Sequence, residues 1–196
     1  GKNRSIGLST TLVTKADEVK RVTERQEVTQ SKLVMGFRTP YAEPYTDVAV
    51  VKLMCAVLGG TPSSKLFMNV REKMSLCYYC AARYNPNKGI IIIDSGVENA
   101  NIEKTETAIL EQLKSMQAGD ITDEEIDAAK LALKNAYITS LDSLASIENF
   151  YLSQTFNRET LTPEESAEKI MAVTKEQIIE AAKAVSLDTI YVLTSN

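Results

Sequence analysis

Any chemistry in this 196-residue chain must rest on cysteine, carboxylate, lysine or tyrosine side chains, because the sequence contains no histidine. That absence excludes Ser-His-Asp triads, Cys-His dyads and zinc sites with imidazole ligands. Cys77 and Cys80 have the C-x-x-C spacing of a redox motif, which requires a helix start after a strand. The sequence over 76–84 instead predicts a strand, on which side chains three apart lie on opposite faces. We therefore expect one or two of these thiols to be small core residues.

Two other segments could be taken for ligand sites. Residues 59–65 (GGTPSSK) are similar to a phosphate-binding loop, but such a loop has glycine directly before its lysine and follows a strand. Here Ser64 precedes Lys65 and a helix comes before, so we predict a helix stop followed by a serine-capped helix start. The acidic residues of 120–127 mark a helix start, where negative charge is favourable and the side chains do not converge on a metal.

The composition is that of a globular domain with no charge block. The 22 Lys+Arg and 26 Asp+Glu residues give a net charge of −4, which argues against nucleic acid or anionic lipid as a partner. The longest aliphatic run, residues 90–93, is too short to span a bilayer. The chain opens GKNR, without an initiator methionine or a signal peptide, so we expect a piece of a longer protein.

Apolar periodicity predicts four strands. Residues 27–38 alternate and stop at Thr39-Pro40, residues 76–84 and 90–97 flank a turn-rich hairpin loop, and 189–193 form a closing strand. Residues 1–26 lack periodicity and predict a connecting arm, which leaves 27–196 as a single domain. The fold class is α/β (α+β): a two-layer sandwich with one mainly antiparallel sheet of about four strands and helices on one face.

Helical periodicity and capping signatures predict the helices. The first spans 47–58 and ends at Gly59-Gly60, and the second carries Leu66, Phe67 and Val70 on one face. A third follows the hairpin and stops before Gly119. The stretch 123–157 is long for one helix, so we expect a break within it. Three helix starts have the Thr-x-x-Glu/Gln capping signature: Thr122 with Glu125, Thr162 with Glu165, and Thr174 with Gln177.

One stretch combines several motifs. It runs from Leu58 to Phe67 (LGGTPSSKLF) and on from Val70 to Tyr78 (VREKMSLCY). This combination resembles the second, non-zinc-binding C-terminal half of pitrilysin/insulinase-type zinc peptidases, the inverzincins. Residues 30–38 (QSKLVMGFR) are similar to the strand that opens that half, and the element order extends the resemblance over 27–196. Ser75 stands where many relatives have glycine, and Cys77 where alanine is common.

The resemblance implies a substrate-binding role for Arg71 and Tyr78. In that family two α/β halves close like a clam: the first binds zinc through H-x-x-E-H and a distant glutamate. The second supplies an arginine and a tyrosine that hold the substrate backbone, and these correspond to Arg71 and Tyr78. Guanidinium and phenol are fixed donors suited to peptide oxygens. The structural alternatives are a cation at a helix C-terminus for Arg71, and a core aromatic beside Cys80 and Ala82 for Tyr78.

Without histidine the chain cannot hold the family's zinc, so the resemblance implies zinc in the N-terminal half or in a partner, and no catalytic residue here. We expect the chain to be inactive alone and to enclose and orient a peptide substrate beside the N-terminal half or a homologous subunit, as a homo- or heterodimer. The alternative is a domain of a non-catalytic subunit with a supporting or structural role. A thiol enzyme that uses Cys77 or Cys80 is a third possibility. Sparse free thiols favour a reducing compartment, here a bacterial cytoplasm.

Overall fold

The structure is a computed structural model that describes residues 11–155, 157 and 159–196. The strands of this part of the chain form one sheet. In the described part of the chain the sheet has five strands in the order β1-β5-β2-β4-β3. All neighbouring strands are antiparallel except β1 and β5, which are parallel. The strands are β1 (Lys20–Arg25), β2 (Ser31–Arg38), β3 (Cys77–Asn85), β4 (Ile90–Val97) and β5 (Ser186–Thr194).

The predicted α/β class and the mainly antiparallel sheet are confirmed, with five strands in place of about four. The additional strand, β1, lies within the segment 1–26 that we interpreted as an arm. All six of its residues are exposed, so no alternation of apolar and polar residues announces it. Residues 1–10 of that segment lie outside the described residues.

Helices cover one face of the sheet and form the core with it. Leu33, Met35 and Phe37 of β2 point inward, and Ile91 and Ile93 of β4 pack beside them; all five are almost fully buried. The helices are α1 (Ala49–Cys55), which continues as π-helical turns over Ala56–Gly60, a π-helical segment Leu66–Lys73, α2 (Ile102–Gln117), α3 (Asp123–Thr139), α4 (Leu144–Ser153), α5 (Pro163–Ala172) and α6 (Lys175–Lys183).

All three predicted capping signatures are confirmed. The Thr122 hydroxyl accepts a hydrogen bond from the Glu125 N–H at 3.2 Å, and the Glu125 carboxylate accepts from the Thr122 N–H at 2.9 Å. The same reciprocal pair of bonds starts α5 and α6. The expected break within 123–157 is also present, because a 3-10 turn over Ser140–Asp142 separates α3 from α4.

The motif from Gly59 to Leu66 fastens the helical layer to β3. Gly59 has non-helical backbone angles (φ −160°, ψ 16°), so the first helix is interrupted at the glycines that were predicted to end it. Gly59 packs so closely on β3 that a Cβ atom there would lie 2.8 Å from the Ala82 nitrogen and 2.7 Å from Leu66 Cδ1. The predicted serine cap is wrong: Lys65 occupies the N-cap, and no side chain caps the helix. Lys65 is buried and pairs with Glu125 at 3.1 Å.

Candidate functional site

A β-bulge at the start of β3 decides where Tyr78 points. Cys77 lies opposite Val97 of β4 and Tyr79 lies opposite Gly96, so Tyr78 is the extra residue without a partner. Regular alternation would have placed Tyr78 inside, whereas its side chain is 55% exposed. The interpretation of Tyr78 as a core aromatic is therefore wrong, because the bulge turns it out of the core.

The same bulge changes the placement of the two cysteines. Cys77 is opposite Val97, and Cys80 is opposite Ser95. Val97 and Ser95 both belong to the buried, helix-covered face of β4, so both thiols lie on that face. The expectation that they point to opposite faces is wrong, since it assumed an unbroken strand. Cys80 is buried and Cys77 is half-buried, which agrees with the expectation that one or two of these thiols are core residues.

Arg71 and Tyr78, the two residues to which the resemblance assigns substrate binding, line the same cleft. The Arg71 Nε–H donates to the main-chain carbonyl of Tyr78 at 2.8 Å. This bond joins the last turn of the Leu66–Lys73 segment to the bulge of β3. The cleft has a volume of about 340 Å³ and is lined by Arg71, Glu72, Ser75, Leu76, Cys77, Tyr78, Glu98 and Asn101.

Contacts within its own helix hold the Arg71 side chain. Its guanidinium lies over the Phe67 ring, 4.6 Å from the centroid, and Nη1 pairs with Glu72 at 3.0 Å. The side chain is still 37% exposed, so a ligand in the cleft can reach it. Arg71 also stands in the last helical turn, where a cation is favourable. Arg71 can therefore act both as a favourable cation at the helix C-terminus and as a ligand-binding residue.

Glu98 is the part of the site that sequence reasoning missed. The Tyr78 hydroxyl donates to Glu98 Oε1 at 3.2 Å. This hydrogen bond, followed by the negative charge of Glu98, raises the pKa of Tyr78 above its ordinary value. The phenol therefore remains protonated, and remains a donor, across the neutral range. Glu98 directly follows β4, and no motif marks it. Only the hairpin that aligns β3 with β4 brings it to Tyr78.

Ser75 occupies a position that favours glycine. Its φ angle is 52°, in the left-handed region, directly after the Met74 residue that ends the π-helical segment. The Leu76 N–H donates to the Val70 carbonyl at 3.2 Å and closes this turn. Helices commonly end with glycine in this conformation, because a Cβ atom makes it costly. The steric cost of a Cβ atom in this conformation is a physical reason why glycine is common at this position in pitrilysin/insulinase-type peptidases.

We expect Ser75→Gly to raise the free energy of unfolding by about 1 kcal/mol, because it removes the strain of the left-handed conformation. Urea denaturation followed by circular dichroism measures the difference. Ser75→Ala is the matched control, since alanine keeps the Cβ atom and should give no such gain. Equal stabilisation by both substitutions would contradict the role assigned to the backbone angle.

Zinc does not fit the residues of this chain. Among residues 11–155, 157 and 159–196, no group of three or more Cys, Asp or Glu side chains is placed to hold a metal ion. The whole sequence contains no histidine. The cleft itself offers the partly exposed Arg71 guanidinium as a donor for oxygen atoms. It also contains the Tyr78 hydroxyl, whose O–H is directed at the Glu98 carboxylate and would have to turn to reach a ligand.

A larger cavity, of about 780 Å³, lies at the opposite end of β3 and includes neither Arg71 nor Tyr78. Two of the cations that line it form internal ion pairs, Arg83 with Asp94 at 2.8 Å and Lys169 with Glu159 and Asp47. The third, Lys52, donates to the Tyr137 hydroxyl at 3.5 Å. The candidate site is the smaller cleft, because Arg71 and Tyr78, the two residues to which the resemblance assigns a role, both line it. Within the described residues, no helix is both long and apolar enough to cross a membrane.

The sequence pattern of the family described as "Peptidase M16 inactive domain" matches residues 2–133. A relative in Bacillus subtilis (strain 168), "Probable inactive metalloprotease YmfF", is 34% identical over 174 residues, which are 89% of this chain and 41% of that protein. "Uncharacterized zinc protease YmxG" of the same organism is 27% identical over 150 residues, 74% of this chain and 36% of that protein. The chain thus spans well under half the length of both.

Two further proteins are similar, one over less than half of this chain and the other over nearly all of it. "Mitochondrial-processing peptidase subunit beta" of Saccharomyces cerevisiae is 36% identical over 90 residues, 45% of this chain and 19% of that protein. The crystal structure of a conserved protein from Enterococcus faecalis V583 superposes with a TM-score of 0.88 at 31% identity. The superposed region covers 97% of this chain and 45% of the Enterococcus faecalis protein. The same fold is therefore present within a molecule about twice as long.

Proposed function

Because the chain belongs to the family of M16 peptidase inactive domains, we propose that it is the C-terminal, non-zinc-binding half of a zinc-dependent endopeptidase. In this role it encloses an extended peptide bound to a zinc-binding half and holds the peptide backbone in place. The residues that perform this role are Arg71 and Tyr78. The domain contributes positioning and hydrogen bonding, and the other half contributes the metal chemistry.

The observation that carries the proposal is the convergence of Arg71 and Tyr78 on one cleft. The two residues are seven apart in sequence, and the Arg71–Tyr78 hydrogen bond of 2.8 Å fixes their relative position. Tyr78 is exposed at the cleft and Arg71 is partly exposed there, so a ligand can contact both side chains. A cation and a protonated phenol at one opening suit the carbonyl oxygens of a peptide and the charge that develops on one of them.

The proposal also holds that the chain is inactive alone. Hydrolysis by the family's chemistry needs a metal-activated water, and the residues of this chain do not fit zinc. The curated relatives are more than twice as long as the segment they share with it. We therefore place the zinc in an N-terminal half or in a homologous subunit, and expect a homo- or heterodimeric arrangement. The three free cysteines favour the reducing cytoplasm of a bacterium.

One observation favours a second candidate, a domain of a non-catalytic subunit. The relative that is 34% identical over 89% of the chain carries the name "Probable inactive metalloprotease", and another match is named as a subunit of a processing peptidase. In that case the zinc belongs to a separate partner chain. The cleft of this chain would then bind a peptide substrate that is cleaved at the zinc of the neighbouring subunit.

Peptide hydrolysis by separated and combined proteins tests the proposal. The assay compares the chain alone, a zinc-binding half or homologue from the same genome alone, and the two together, each with zinc and an internally quenched peptide. We expect no turnover by the chain alone and at least a tenfold higher kcat/KM for the pair than for the zinc-binding protein. Turnover by the chain alone, or equal rates with and without it, would contradict the proposal.

A further inference from the structure

The two cysteines of β3 lie closer together than their spacing in the sequence suggests. Because of the bulge, Cys77 and Cys80 stand opposite Val97 and Ser95, which are two residues apart on β4. Their Cα atoms are thus separated by about 7 Å, the length of two strand residues. Without the bulge they would lie on opposite faces and about 10 Å apart. At a strand rise of about 3.3–3.4 Å per residue, two residues span about 6.6–6.8 Å, which is at the upper end of the Cα separation that a disulfide bridges.

The surroundings of the two thiols differ in a way that favours an ordered reaction. Cys77 lines the open cleft beside Arg71, whereas Cys80 lies behind it, 4% exposed. A hydrogen bond from Cys80 and then the Arg71 charge lower the pKa of Cys77, although burial opposes this. The same hydrogen bond, together with burial, raises the pKa of Cys80. A thiolate therefore forms first at the accessible position.

We propose that Cys77 and Cys80 form a thiol modification site, which a low-molecular-weight disulfide converts into an intramolecular disulfide. Cys77 is the attacking residue and Cys80 is the resolving residue. This site is independent of the proposed peptidase role, since it needs neither zinc nor a partner. The disulfide would close a small ring around Tyr78 and Tyr79 and so fix the bulge that turns Tyr78 toward the cleft.

The reaction proceeds through a mixed disulfide. The Cys77 thiolate attacks one sulfur of the reagent RS–SR: a Cys77–SR bond forms, the S–S bond of the reagent breaks, and RS⁻ leaves and takes a proton from water. Cys80 then loses its proton and attacks Cys77 Sγ, which forms the internal disulfide and expels the second RS⁻. The protein loses two electrons and two protons, and the reagent is reduced to two RSH. The first step removes the negative charge of Cys77, which had disfavoured ionisation of Cys80.

Oxidised glutathione tests the site on the folded 196-residue chain. After incubation, remaining thiols are alkylated and the digested protein is analysed by mass spectrometry. We expect the peptide with Cys77 and Cys80 to be two hydrogens lighter and unalkylated. Cys55 should remain reduced, because burial raises its pKa to about 12.

Two variants separate the proposed roles. Cys80→Ala should accumulate the glutathione adduct on Cys77, because no thiol is left to resolve it. Cys77→Ala should leave Cys80 unmodified, because Cys80 is buried. The proposal is overturned if the wild-type chain keeps a stable glutathione adduct without an internal disulfide, or if Cys80 reacts at the wild-type rate in Cys77→Ala.

Discussion

Replacing Gly59 with alanine is expected to lower the free energy of unfolding by about 3 kcal/mol, the upper range for overpacking a close contact. The new methyl group would lie 2.8 Å from the Ala82 nitrogen and 2.9 Å from its Cβ. The backbone of β3 cannot move away without loosening its pairing with β4. Leu66 Cδ1, at 2.7 Å, would have to shift as well.

Gly60→Ala is the matched control for Gly59→Ala. A Cβ atom at position 60 would lie 3.4 Å from the Cys55 oxygen and 3.5 Å from Ala56 Cβ, which are tolerable contacts. We expect Gly60→Ala to change the free energy of unfolding by less than about 1 kcal/mol, the usual effect of a glycine–alanine exchange. Urea denaturation of both variants measures the difference. Equal destabilisation of the two variants would show that close packing on β3 is not the reason for glycine at position 59.

Periodicity and capping chemistry made most of the helical layer predictable. A Thr-x-x-Glu signature depends only on atoms within one turn, so Thr122, Thr162 and Thr174 could be recognised without tertiary information. The strand β2 was also predictable, because its buried face repeats at every second residue. The strand β1 was not predictable, because its six residues are exposed and show no alternation. They are ordered by contacts distant in sequence: the pairing with β5 and the ion pair of Arg21 with Glu106.

The sequence named two residues of the candidate cleft but could not predict the cleft's geometry. Arg71 and Tyr78 came from the resemblance of the surrounding motifs, whereas their orientation depends on a bulge that no residue type between Cys77 and Tyr79 announces. A one-residue shift in register moves every later side chain to the other face. For that reason the sequence predicted the wrong faces for the cysteines, and it gave no sign that Glu98 would receive the Tyr78 hydrogen bond.

Arg71→Ala is expected to lower kcat/KM for peptide hydrolysis about 100-fold in the zinc-containing assembly, the usual cost of removing one donor to a developing oxyanion. Tyr78→Phe removes only the hydroxyl and should lower kcat/KM about tenfold. This loss is smaller than that for Arg71→Ala because a neutral donor forms a weaker hydrogen bond than a charged one. If the donors act on the transition state, kcat falls; if they bind the ground state equally, KM rises instead.

Lys73→Ala is the matched control for Arg71→Ala. Lys73 is a cation in the same last turn but is not among the residues that line the cleft. Because Arg71 also donates to the Tyr78 carbonyl, Arg71→Ala should lower the free energy of unfolding by about 1–2 kcal/mol more than Lys73→Ala, so activities are compared at matched folded concentration. A purely structural role for Arg71 would leave catalysis of the folded fraction intact.

The most direct test of the account is therefore kcat/KM of the zinc-containing assembly with Arg71→Ala, measured beside Lys73→Ala at matched folded concentration. The account predicts a loss of about 100-fold for the first variant and full activity for the second. Unchanged kcat/KM in Arg71→Ala would contradict the claim that this cleft holds the substrate.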